Sequence, residues 1–119
     1  AYFIIHACYG SLNQIYPEMF ELACDNLDLE LSNDNFRLAK IFEDERLTKD
    51  ISPGVIDVHS RKIEGSNVVK SRIDNLLEVL KPRKIWVDPD CGLKTRNDEE
   101  AKEKLANMVE ATRIIREEI

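Results

Sequence analysis

KIWVDPDCGLKTRNDEE, residues 84 to 100, holds the junction on which the fold reading turns. Ile85, Trp86 and Val87 form a short apolar run. It stops at Asp88-Pro89-Asp90-Cys91-Gly92, and Asn97 with Glu100 then makes a capping pair at the start of a helical pattern. A strand passing through a polar turn into an amphipathic helix is the repeating piece of a parallel α/β protein. Cys91, at that turn, reads equally as a small buried hydrophobe, a redox thiol or a metal ligand whose partners lie elsewhere.

The same pattern recurs upstream. Apolar runs YFII (2–5), LDLEL (27–31) and GVIDV (54–58) precede KIWV (84–87), and all but the second are nearly continuous in apolar residues, as parallel strands covered on both faces are. Between and after them lie segments of helical period. Val69, Ile73, Leu76, Leu77 and Leu80 form one stripe, ended by Pro82; Ala101, Leu105, Met108, Thr112 and Ile115 form another. Leu12, Ile15, Met19, Phe20 and Ala23 predict a helix after the first strand, and Asn35 to Glu45 a weaker one. Residues 43–53 read as a polar loop closed by Pro53-Gly54. Four successive β-α units of about 30 residues each predict four neighbouring parallel strands with helices outside, which is either a doubly wound sheet or half of an eight-stranded barrel. A whole barrel needs roughly 200 residues or more, and the chain has 119.

Bulk properties narrow the function. Net charge is −6 with both signs scattered, so no basic stripe favours nucleic acid. No apolar run approaches the roughly 18 residues that suggest a membrane span, and no signal-peptide pattern opens the chain. Cys8, Cys24 and Cys91 are widely spaced and odd in number, which favours metal binding or catalysis in a reducing cytoplasm over a disulfide framework. Ala1 is followed at once by a strand-like run, so the expectation is a fragment of a longer protein.

Parallel α/β folds carry their chemistry at the carboxyl ends of the strands. His6 and Cys8 end the first run, Glu30 nears the end of the second, His59 follows the third, and Cys91 follows the fourth. His6 and Cys8, two apart on an extended segment, point to one side. With Glu30 and Cys91 they offer an imidazole, two thiolates and a carboxylate, a set suited to tetrahedral zinc. Such a site would carry a net −1, which favours holding a sulfur nucleophile over activating water. Taken singly each residue has a plainer reading. Glu30 suits a salt bridge inside a barrel, and since the same run carries Asp28, one of the two is expected to face solvent or a site. His59 suits a loop hydrogen bond, Cys91 an inert thiol, and Cys24 beside Ala23 the core.

HACYG (6–10), LELS (29–32), GVIDVHS (54–60), WVDPDCGLKTR (86–96) and LANMVEATR (105–113) together resemble the C-terminal catalytic barrel of the cobalamin-independent methionine synthases. The resemblance spans the chain and covers the second half of that barrel. It implies a (β/α)4 portion of a TIM (β/α)8 barrel, parallel strands with outer helices, with residues 1–119 as one domain whose N-terminal half-barrel lies elsewhere. It further implies Zn²⁺ held by His6, Cys8, Glu30 and Cys91, and His59 as the acid that protonates the methyl donor's leaving amine. Asp57 either tunes His59 or serves the same cavity face directly. The implied substrates are homocysteine and a methyl donor, either methyltetrahydrofolate, polyglutamated or not, or a methylated corrinoid on its protein. Alternatives are alkyl transfer to another thiol such as coenzyme M, or an inactive zinc-binding fragment. The family often has Asn where Asp88 stands and Glu-Thr-Ser in place of Glu30-Leu31-Ser32; neither departure removes a ligand.

Overall fold

The computed structural model describes residues 1–8, 12–32 and 36–119. Three strands, β1 (Ile4–Ala7), β2 (Asn26–Glu30) and β3 (Asp50–Gly54), form a parallel sheet in that order. The register pairs His6 with Asp28 and Glu30 with Gly54. The fourth apolar run joins in parallel at two bridges, Ile51 with Ile85 and Gly54 with Asp88. The result is an open sheet of alternating α/β type, an unclosed part of a barrel.

Pro53 explains why the fourth run only bridges. The Ile51 carbonyl accepts from Trp86 N–H and Val55 N–H donates to the Asp88 carbonyl, so alternate residues 51, 53 and 55 turn their backbone groups toward this run. Proline at 53 has no N–H to give, and the ladder breaks between its two bridges.

The third strand is displaced from its predicted place. GVIDV is not the strand; β3 runs through Asp50–Gly54, inside the stretch expected to be a polar loop. Pro53-Gly54 looked like a turn, yet Ile51 is fully buried in the ladder, and Val55, Ile56 and Val58 are buried beyond the strand's end. His59 therefore lies further past β3 than the sequence implied.

The first predicted helix is also broken. It forms one turn, α1 (Leu12–Ile15), then a 3-10 turn over Glu18–Glu21, because Pro17 (joined to Tyr16 by a cis bond) cannot donate within a continuous helix. Leu12, Met19 and Phe20 are buried, whereas Ile15 and Ala23 are exposed. The second becomes a 3-10 segment at Arg37–Glu43, and Asn35, where it was predicted to start, lies outside the described residues.

The later helices match their patterns more closely. In α2 (Ser66–Leu77), Val69, Ile73 and Leu76 are buried as the stripe predicts. α3 (Asp98–Glu118) opens on the expected capping box. Glu100 N–H donates to Asn97 Oδ1 at 2.8 Å, and Asn97 N–H donates to Glu100 Oε1 at 3.1 Å. Its predicted stripe is met in part: Ile115 is buried and Ala101, Met108 and Thr112 are half-buried, but Leu105 is exposed while Lys104 and Ala111 are inside. Among the described residues no helix is long and apolar enough to cross a membrane.

Candidate metal centre

The parallel register brings the carboxyl ends of the strands together. His6 stands on β1, Cys8 just past it, Glu30 at the last position of β2, and Cys91 in the turn after the fourth run. One ligand atom each from His6, Cys8 and Cys91 falls within 4.8 Å of the others, a group able to hold a metal ion. Glu30 is 9 % exposed and lies close enough for its charge to reach Cys8, although it is outside that three-residue group. His59 is outside the group too.

The electrostatics of the donor set suit a cation. Burial pushes the Cys8 thiol up, and the charges of Cys91 and Glu30 push it further in the same direction. Thiolates crowded with a carboxylate are self-repelling until a positive charge lies between them. An imidazole and two thiolates form a borderline-soft set of the type that binds Zn²⁺.

Asp90 fixes the geometry of the Cys91 turn. Buried and one residue before Cys91, it accepts from Leu31 N–H and Ser32 N–H, both at 3.2 Å, and from the Ser32 hydroxyl. Its own N–H donates to the Ile56 carbonyl at 2.9 Å. Gly54 permits this contact: a Cβ there would lie 2.5 Å from Asp90 Cα. Asp90 thus ties the Cys91 turn to the end of β2, next to Glu30. Burial pushes its carboxyl up to about 6, even though the Ser32 bonds work the other way.

Three acidic residues were not singled out as site residues from the sequence. Asp28 receives the His6 ring nitrogen Nδ1 at 2.8 Å. Burial, with the charges of Asp28 and Asp90, pushes Asp88 up to about 8. One of Asp28 and Glu30 was expected to face solvent or a site, and both lie on the side of β2 that carries the candidate centre. They are two apart on one strand and share a face, while Leu27, Leu29 and Leu31 pack into the core on the other. That alternation was readable in LDLEL.

The His59 loop is held at its base. His59 N–H donates to Asp57 Oδ1 at 2.9 Å, so Asp57 braces the backbone of the exposed His59. Asp57 N–H donates to Glu64 Oε2 at 2.6 Å, and the Asp57 carbonyl accepts from Lys104 Nζ at 3.0 Å. Cys24 is half-buried against the core, consistent with its structural reading.

An open parallel sheet with an imidazole and two thiols gathered at its strand ends defines an α/β protein with a candidate metal centre on part of a barrel. Residues 3–114 match the family described as "Cobalamin-independent synthase, Catalytic domain", and the chain belongs to that family. It is 42 % identical over 116 residues to a methionine synthase of Sulfolobus acidocaldarius, covering 98 % of this chain and 34 % of that protein. It is 40 % identical over 116 residues to a methionine synthase of Sulfurisphaera tokodaii, covering 98 % of this chain and 34 % of that one. The chain therefore spans about a third of the length of these relatives. The solved B12-independent methionine synthase from Shewanella sp. W3-18-1, in complex with selenomethionine, superposes with a TM-score of 0.86 at 20 % identity. That match covers 97 % of this chain and 38 % of the solved one, and concerns the fold.

Proposed function

We propose that residues 1–119 form the C-terminal half of a catalytic (β/α)8 barrel that methylates the thiol of homocysteine, with Zn²⁺ held by His6, Cys8, Glu30 and Cys91. The observation that carries this reading is the gathering of His6, Cys8 and Cys91 ligand atoms within 4.8 Å at the strand ends, in a chain whose family and relatives are methionine synthases.

Zinc in this set would supply a cation that lets a substrate thiol stand as thiolate at neutral pH. His6, Cys8 and Cys91 provide three soft or borderline donors. Glu30, buried beside them, would supply the hardest donor of the set. Asp90 keeps the Cys91 turn against the end of β2, so the donor set does not depend on a loose loop. His59, exposed on a loop braced at Asp57, is assigned to carry a proton to the amine that leaves when a folate gives up its methyl group. Methyltetrahydrofolate and a methylated corrinoid both remain as donors. The N-terminal half-barrel would complete the substrate pocket, and the free thiols suit a reducing cytoplasm.

Metal analysis of the reduced, folded protein tests the site. About one zinc per chain is expected, lost in Cys91→Ser and kept in Cys24→Ser. Absence of zinc from the unsubstituted protein, or equal loss in both variants, would overturn the ligand assignment. Replacing His59 with Gln in the complete enzyme should keep the metal and slow methyl transfer; release of the metal would remove His59 from the role of acid. The exposed apolar residues of β1 favour a second reading for the isolated chain, in which it binds zinc without turning over. Methyl transfer by the 119-residue chain alone would exclude that reading.

A further inference from the structure

The geometry points to Asp28 as a positioning residue of the metal centre, one that fixes the His6 ring so that its Nε2 is presented to the ion. This inference rests on reading His6, Cys8 and Cys91 as a metal site. The sheet register places Asp28 directly beside His6 on the neighbouring strand. Alternation along β2 turns Asp28 to the same face as Glu30. His6 Nδ1 and Asp28 Oδ2 are 2.8 Å apart. A carboxylate only accepts hydrogen bonds, so in this pair Nδ1 carries the hydrogen and Nε2 keeps its lone pair for a metal.

The burial of the pair shows why a brace matters. About a third of the His6 side chain is exposed, and β1 has a paired neighbour only on its β2 side among the described residues. Packing alone leaves that ring free to turn about its side-chain bonds. Asp28, only 19 % exposed and anchored in the middle of β2, gives the ring one orientation. A carboxylate behind a metal-bound histidine is worth about 10–100-fold in metal affinity. Asp28 does this without being a ligand itself, which separates its role from that of Glu30 two residues later.

Competition for zinc against a chromophoric chelator, with the absorption spectrum of the Co²⁺-loaded protein and the melting temperature of the metal-free form, tests the assignment. Asp28→Ala should weaken zinc binding by about 10–100-fold while retaining the thiolate-to-cobalt charge-transfer bands, because both cysteines still bind. Asp28→Asn keeps an acceptor oxygen in place and should recover part of the loss. It also serves as the readable variant if the alanine protein does not fold. Zinc affinity unchanged in Asp28→Asn and in any folded Asp28→Ala would overturn the proposal. So would a drop in affinity that merely follows a matching drop in metal-free stability. If Cys91→Ser binds zinc as tightly as the unsubstituted protein, the metal site itself is wrong and the role of Asp28 falls with it.

Discussion

Asp88 shows most directly how the site's acidic lining couples to stability. Its Oδ1 has no hydrogen-bond partner, and burial with the charges of Asp28 and Asp90 pushes its carboxyl up to about 8. An unfolded aspartate titrates near 3.9. Between those values the native state binds more protons than the unfolded chain, so the contribution of Asp88 is fully present below about pH 4 and is lost as pH rises through about 8. Asp90, raised to about 6, acts with the same sign over a narrower window. In the metal-free protein Asp88→Asn should flatten the upper part of the pH–stability curve and gain ~1–3 kcal/mol at pH 8. Urea denaturation across pH 5–8 checks this, and identical slopes with and without the substitution would count against a strained carboxyl at 88. His6, Cys8 and Cys91 were legible because imidazole and thiol are scarce in the chain and fall at strand ends. Asp28, Asp88 and Asp90 were harder to single out, since a carboxylate near a strand end has the same one-letter pattern whether it meets water, a ring nitrogen or another acid.

Elements with a strong local signal were placed from sequence; those decided by backbone pairing were not. The Asn97–Glu100 capping box and the α2 stripe are local devices and stand where the pattern put them. β3 was displaced because Pro53-Gly54 reads as a turn in isolation, whereas Pro53 sits where only the broken fourth ladder needs its missing donor. Lys104 illustrates the same limit on a helix. It is fully buried on the inner face of α3, and its Nζ donates to Glu64 Oε1 at 2.6 Å, the Lys62 carbonyl at 2.7 Å and the Asp57 carbonyl at 3.0 Å. Glu64 Oε2 also meets Arg72 of α2 at 3.2 Å. Burial raises the Glu64 carboxyl, but the bonds from Lys104 and Asp57 outweigh it and hold it below the usual range. This cluster clamps α3 and α2 onto the loop carrying His59. Lys104→Met strips Glu64 of its main counter-charge and should cost about 3–5 kcal/mol, the range for breaking a buried pair. Adding Glu64→Gln removes the stranded charge and should recover part of that loss. Chemical denaturation of the single and double variants decides it; a double variant no more stable than Lys104→Met would mean the charge pair is not the source of the cost.

At the scale of the whole molecule, the count of β-α units correctly implied an open sheet, but burial could not be read from apolar character alone. The YFII run, expected to be covered on both faces, is instead exposed: Phe3 is 63 % and Ile4 52 % accessible. The reason is topological. β1 is paired on its β2 side alone among the described residues, and hydrophobic residues on a sheet margin are buried only when another element covers them. Beyond the fourth run, Val109 and Ile119 are likewise exposed along an apolar groove between α2 and α3. Two apolar margins on one open sheet, one with unpaired backbone groups, make a surface that self-associates unless more chain covers it. The 119-residue chain produced alone is therefore expected to form concentration-dependent oligomers. Phe3→Lys places a charge at the most exposed large apolar residue of the β1 margin and should shift that equilibrium toward monomer, with zinc content unchanged because residue 3 contributes no ligand. Sedimentation velocity over a concentration series, with metal analysis of the same samples, separates the outcomes. A chain that stays monomeric at every concentration would show these margins to be inert. Oligomers insensitive to Phe3→Lys would place the contact on the α3 side, where the corresponding substitution of Val109 should then dissolve them.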